Sequence, residues 1–303
     1  MSQEQTVRSA VECSGVGLHS GAPVCMRIIP ASPGTGIVFR RVDLDGFEIE
    51  ATGRNVARVS YATSLMKKGV LISTTEHLLS AFMGMGVDNA IVELDNLELP
   101  ILDGSALPFV ELIQKAGLRK QRRQRKYIKI LREMEMREGN KVISIYPADR
   151  YLVSYSINFP HPLIGHETLQ VELSNGKYLR HIAAARTFGS REDEKAMRNM
   201  GLIRGASREN CIVLTRDGVE NGPLRFADEF VRHKILDLVG DLALLGKPVL
   251  GRIVADRAGH AMHTALVSRI LRDKSLWEEV SLPEEENQSP DSRSAHASAG
   301  SAL

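Results

Sequence analysis

Two short runs far apart in the chain set the strongest condition on its fold. Thr74-Thr-Glu-His77 and His233-Lys-Ile-Leu-Asp237 together hold two imidazoles, a carboxylate able to ligate a metal, and a spare carboxylate beside a ligand. That is the inventory of a catalytic zinc site, in which three protein ligands leave a fourth position for water. Beside the ion the pKa of water falls to about 7 from about 15.7 in bulk. Glu76 is then placed to take its proton. A fold that uses these residues must carry three side chains from two remote segments to one point.

Both runs read as helical. From Phe226 to Leu242 apolar residues recur at helical spacing, so His233 and Asp237 stand one turn apart on one face. Asp241 follows a turn later, and Lys234 lies within roughly 100° of the same arc. An ordinary solvated face accounts for these four residues too, since polar pairs at i,i+4 are common on helices. The first run opens another helix. Ser73, Thr74 or Thr75 can cap it, Leu78, Leu79 and Phe82 give it an apolar side, and Gly84 or Gly86 can end it. Glu76 and His77 then fall in its first turn, at the positive end of the dipole. Taken alone, that pair is read as surface or core structure.

The rest of the chain reads as α+β. Strand-like runs at Thr6 to Cys13, Val24 to Ile29, Gly36 to Arg41 and Ala90 to Leu94, with helices over Thr75 to Gly84 and Ala106 to Ala116, make a first half. Arg119 to Lys126, six cations among eight residues, breaks the pattern and puts a boundary near Arg123. Strands resume at Tyr127 to Leu131, Lys141 to Tyr146 and Tyr151 to Phe159, and helices near Ser190 to Asn199, Phe226 to Leu245 and His260 to Leu271. The domains expected are 1–122 and 123–281, followed by a polar, small-residue tail, 282–303, expected to be disordered, in which His296 has no role.

Composition excludes several classes. With 39 basic and 37 acidic side chains the net charge is only +2, so no global field points to nucleic acid. The 119–126 cluster could contact phosphates, but no aromatic residue interleaves it, and a solvated linker or a weak contact with anionic lipid explains it as well. Cys13, Cys25 and Cys211 lack metal or redox spacing and leave an odd count, as reduced thiols do. Glu4, Arg8 and Glu12 interrupt the N-terminus, and no 18 apolar residues run together, so a cytoplasmic protein without a transmembrane segment is expected.

A set of longer segments carries a resemblance: Gly15-Val-Gly-Leu-His-Ser-Gly21, Thr74-Thr-Glu-His-Leu-Leu-Ser80, Leu102-Asp-Gly-Ser105, Arg186-Thr-Phe-Gly189, Phe230-Val-Arg-His-Lys-Ile-Leu-Asp237 and Gly259-His260. In this order and spacing the chain resembles the UDP-3-O-acyl-N-acetylglucosamine deacetylases, zinc amidohydrolases of lipid A synthesis, from about Thr6 to about Trp277. The resemblance implies two similar two-layer α/β sandwich domains packed together with the metal between them. It further implies His77, His233 and Asp237 as zinc ligands and Glu76 as the general base. Thr187 corresponds to the hydroxyl donor to the oxyanion, and His260 to a protonated histidine that serves the leaving amine. Asp241 matches the carboxylate partner of that histidine, and Lys234 the lysine that reaches substrate beside the metal. Phe188 matches an aromatic residue bordering the sugar, and Phe159 one against the nucleobase. Met200 to Ser207, with Gly205 and Ser207 among its small residues, resembles the insert that walls a passage for the acyl chain. His19 is expected near the site but off the metal, and His161, His166, His181 and His263 in structural or surface roles.

The chain departs from the family's pattern in two places. Where the family commonly shows Lys-Ser-Gly-His and an Asn pair, this chain has Arg257-Ala-Gly-His260-Ala-Met-His263-Thr264, so Arg257 offers a planar fork to the diphosphate in place of a point charge. Val219-Glu-Asn-Gly-Pro223 also differs from the usual loop. The partner implied is UDP-3-O-acyl-N-acetylglucosamine, with no nucleic acid and at most transient contact with a membrane surface. The ligand set suits zinc and also Fe2+. Rival readings are a deacetylase of another N-acetyl substrate, a nucleic-acid binder using residues 119–126, and two halves stapled by a fully ligated structural metal. Acyl-chain length and oligomeric state are not encoded in any local pattern.

Overall fold

The structure, a computed structural model, describes residues 3–57 and 61–282. Of the tail expected to be disordered, all but Leu282 lies outside the described residues. The described helices are α1 (Glu76–Met85), α2 (Leu107–Ala116), α3 (Asn175–His181), α4 (Arg191–Asn199), α5 (Glu229–Leu242) and α6 (His260–Arg272).

Two sheets organise the molecule, and the α+β expectation holds. The first has five strands in the order Val11–Val16, Pro23–Pro30, Ala90–Leu94, Ile37–Arg41, Phe47–Glu50, antiparallel except where Ala90–Leu94 meets Ile37–Arg41. Alternation buries Val24, Met26 and Ile28 on one face of their strand, as the two-residue period of a half-buried strand requires. The second sheet is built around Val249–Asp256, paired with Lys141–Tyr146 antiparallel and with Tyr151–Phe159 and Tyr127–Ile130 in parallel. Met134–Glu138, Gly165–Glu172 and Trp277–Val280 complete it. The helices α5 and α6 pack on this sheet and α2 on the first, while α1 lies against α2, α3 and α5.

The sequence stretch from Thr6 to Cys13 is not one strand. It divides into Gln3–Val7 and Val11–Val16, which belong to different sheets. Nor is the charge run an interruption. Leu118–Gln124 is a strand antiparallel to Gln3–Val7, with Val7 opposite Leu118. Gln121 is buried and accepts from Asn89 Nδ2 at 2.7 Å, and buried Arg125 is ion-paired with Asp88. Arg123 meets Glu4 at 3.1 Å and stays exposed beside Arg119, Lys120 and Arg122.

The contact between α1 and α5 positions everything that follows. A Cβ at Gly240 would collide with the Glu76 carbonyl oxygen, so the absent side chain lets α5 run against the first turn of α1. Helix axes normally stand about 8–10 Å apart according to the side chains between them, and a glycine at the crossing permits the near limit. No helix among the described residues is long and apolar enough to cross a membrane.

Candidate active site

The α1–α5 crossing brings His77, His233 and Asp237 together, each at most 4% exposed. Asp237 Oδ1 lies 3.3 Å from His233 Nε2 and 3.6 Å from His77 Nε2. His233 Nδ1 donates to the Ala185 carbonyl at 3.0 Å, and burial lowers the ring to about 3, so it is neutral and its Nε2 carries a lone pair. That lone pair faces a carboxylate oxygen. Burial alone would raise the Asp237 carboxyl, yet the charged groups around it, the Lys234 ammonium among them, hold it well below its ordinary value. Two buried acceptors pointed at each other repel unless a cation stands between them.

The spacing fits such a cation. Donors about 2.0–2.1 Å from a tetrahedral zinc ion stand roughly 3.3–3.4 Å apart, close to the separations found here. The hydrogen bond from His233 to Ala185 is the outer partner that metal-binding imidazoles usually have. A metal is therefore accommodated by residues already aimed at one point, with no fourth His, Cys, Asp or Glu in the group among the described residues.

Glu76 is the neighbouring carboxylate. It is 3% exposed, Thr63 N donates to its Oε2 at 3.1 Å, and burial raises its pKa against the opposing pull of His260 and His77. A carboxylate whose basicity is raised by desolvation is suited to accept a proton near neutrality. Thr75, which could have capped α1, instead donates its hydroxyl to the Thr63 carbonyl at 3.1 Å. Thr74 is held at φ +59 while its hydroxyl donates to buried Glu98 at 2.9 Å. A threonine in the left-handed region is strained, and such strain persists where surrounding bonds over-determine it.

A second cluster sits one turn further along α5. Asp241 is fully buried; its Oδ2 accepts from His260 Nδ1 at 2.7 Å and from His263 Nδ1 at 2.9 Å, and its Oδ1 from the Thr63 hydroxyl. Burial would lower His260, but Asp241, Asp237 and Glu76 overcome it and lift the ring to about 10. The His260 Nε2 points back to the first cluster, 3.8 Å from Glu76 Oε1 and 3.9 Å from Asp237 Oδ2.

These groups open onto a cavity of about 440 Å³. Its walls include Glu76, His77, Thr187, Phe188, Ser207, His233, Lys234, Asp237 and His260. Lys234 Nζ donates to Asp237 Oδ2 at 2.7 Å and lies 5.6 Å from the centre of the Phe188 ring. Thr187 and Phe188 are carried there by Arg186, whose Nε bonds Glu229 Oε1 at 2.9 Å at the buried start of α5. Gly104 lies so close to the Asn210 carbonyl that a Cβ would collide with it, and its own carbonyl accepts from Thr187 N at 2.8 Å. Away from the ligands the wall has an apolar part, Leu18, Met197, Ile203, Ala206 and Val213, and a charged part, Arg191, Glu194, Arg198 and Arg208.

Three residues expected at the substrate are not among the residues lining this cavity. Gly205 packs on the Gly17 carbonyl, where any side chain would collide, Arg257 is tied to Asp256 at 2.8 Å, and Phe159 stands edge-on behind Phe188 with centroids 5.6 Å apart. His19 does line the cavity, and neither of its buried ring nitrogens has a hydrogen-bond partner among the described residues. His161 is structural, with Nε2 2.7 Å from the Thr215 carbonyl oxygen. The sequence reading missed Thr63, which bonds both Glu76 and Asp241, and His263 is buried against Asp241 and Tyr155. Nothing local marks Thr63, whereas the i,i+3 spacing of His260 and His263 at the start of a helix was visible.

Comparison with known proteins agrees with this geometry. A family model described as UDP-3-O-acyl N-acetylglycosamine deacetylase matches residues 4–272. A protein of Solibacter usitatus named UDP-3-O-acyl-N-acetylglucosamine deacetylase is 56% identical over 276 residues, 91% of this chain and 93% of its own length. Proteins of the same name from Xylella fastidiosa strain 9a5c and Anaeromyxobacter sp. strain Fw109-5 are each 45% identical, covering 96% and 92% of this chain and 97% and 92% of their own.

Proposed function

The chain belongs to the UDP-3-O-acyl N-acetylglycosamine deacetylase family, and on that premise we propose how its site works. The protein hydrolyses the acetamide of UDP-3-O-acyl-N-acetylglucosamine to a free amine and acetate, a step of lipid A biosynthesis. His77, His233 and Asp237 hold the catalytic metal, which we take to be zinc, although Fe2+ suits the same ligands. Bound there, zinc supplies a Lewis acid for the acetamide carbonyl and lowers the pKa of water to about 7.

The protein's own groups divide the remaining work. Glu76, basic because it is buried, takes the proton of the attacking water. As the carbonyl carbon becomes tetrahedral, the Thr187 hydroxyl and the Lys234 ammonium, both on the cavity wall, donate to the developing oxyanion. His260, kept protonated by Asp241, gives a proton from Nε2 to the departing amine. Base and acid face each other across 3.8 Å, so the proton taken from the attacking water and the proton given to the leaving nitrogen are exchanged beside one carbon. The apolar wall of Leu18, Met197, Ile203, Ala206 and Val213 takes the acyl chain, each buried methylene contributing about 0.8 kcal/mol. Phe188 borders the sugar. A cytoplasmic location, with at most transient contact with a membrane surface, accords with three cysteines that are all free.

The convergence of two imidazoles and a carboxylate on one point beside Glu76 supports this reading most strongly. Its test is acetate release from UDP-3-O-acyl-N-acetylglucosamine, with metal content measured on the same sample. Turnover with about one zinc per chain is expected; full zinc occupancy and no acetate would defeat the assignment.

A further inference from the structure

Asp241 holds two imidazoles, and the mechanism uses only one. We propose that His263, together with Tyr155, is a positioning residue that fixes the Asp241 carboxylate and the entry of α6, and so aims His260 at the site. The effect on rate rests on the deacetylase reading, whereas the effect on the His260 hydrogen bond does not.

The bonds leave little alternative for His263. Its Nδ1–H donates to Asp241 Oδ2 at 2.9 Å, and its Nε2 lies 3.0 Å from the Tyr155 hydroxyl oxygen. That hydroxyl donates its one proton to the carbonyl oxygen of Ala258 at 2.7 Å, two residues before His260. His263, Tyr155 and Ala258 are at most 7% exposed, so water does not substitute for these partners. The next residue of the same strand, Ser156, accepts from Arg257 N at 2.8 Å and pins a backbone held at φ +53. The loop that launches α6 is thus tied to the sheet on both sides of its strained residue. His263 connects that tie to Asp241, one turn below His260 on the helix. Without it Asp241 keeps two of its three donors and loses the one that links the carboxylate to the loop.

The experiment compares His263→Leu, His263→Asn and Tyr155→Phe in the zinc-loaded protein. Leucine fills the space without a donor, whereas an asparagine amide can reach Asp241 from the same backbone position. Two quantities are read: kcat and KM with UDP-3-O-acyl-N-acetylglucosamine, and, by 1H–15N NMR, the solvent exchange of the His260 Nδ1–H. In the leucine variant kcat should fall about tenfold or more at unchanged KM and zinc content, and exchange should quicken by a similar factor. Asparagine should restore most of both, and Tyr155→Phe should give a smaller change in the same direction. Wild-type kcat and exchange in the leucine variant overturn the proposal, as does an equal loss in the leucine and asparagine variants, which would mean packing alone. If the leucine variant does not fold, wild-type exchange in Tyr155→Phe overturns it. An inactive wild-type protein whose His260 N–H loosens in the leucine variant would uphold the positioning and sink the deacetylase reading.

Discussion

Two clusters of the same residue types lie one turn apart on α5 and do opposite things. His233 and Asp237 face each other as acceptors at 3.3 Å with no proton between them, and His77 Nε2 stands 3.6 Å from the same carboxylate oxygen. Asp241 and His263 are just as buried and His260 is partly so, yet every bond at the carboxylate has a donor. The first arrangement is satisfied by a cation and the second by protons. Which one a His/Asp group becomes is decided by where its outer hydrogen bonds go: His233 spends its proton on the Ala185 carbonyl, while His260 and His263 spend theirs on the carboxylate itself.

The hardest blow to this contrast is a pair of substitutions in adjacent residues. His77→Ala should lose both metal and measurable turnover, while Glu76→Gln should keep the metal and lose about 10²- to 10⁴-fold in kcat. Metal analysis of dialysed samples beside the acetate assay separates the two; equal zinc loss would mean that Glu76 is a ligand. The proton cluster is tested by pH. Asp241, Asp237 and Glu76 hold His260 protonated up to about 10, so its acid function is lost, and the rate falls, as pH rises through its pKa. Asp241→Asn removes the charge that opposes burial, so the alkaline limb of the kcat/KM profile should move down by more than about one unit. It should also cost about 10- to 100-fold in kcat. An alkaline limb that stays in place would assign the acid elsewhere. The smallest effect concerns the crossing that both clusters share. Gly240→Ala should cost about 1–3 kcal/mol by overpacking, seen in chemical denaturation, and weaken metal retention as α5 is pushed from α1. Unchanged stability would show that the helices have room to spare.

Much of this was legible in the sequence, for a physical reason. The helical period places His233, Asp237 and Asp241 on one stripe before any tertiary contact is known, and Glu76 and His77 follow from an ordinary helix start. The strands Lys141–Tyr146 and Tyr151–Phe159 have the bounds that alternation predicts. What stayed hidden depends on partners remote in the chain. Residues 119–126 read as a solvated run because Asp88 and Asn89, which bury Arg125 and Gln121, are not local. Thr63 has no motif and acts only because Glu76 and Asp241 meet there. His263 was set aside as structural because Tyr155 and Asp241 come from two other elements.

The second sheet has a consequence for how the molecule is made. Ile128, near its beginning, is flanked by Val249 and by Glu279. A ribosome must therefore synthesise nearly the whole polypeptide before that early strand gains both neighbours, and until then its edges are open to any other nascent strand nearby. The enzyme's birth, more than its mature fold, is its exposed moment.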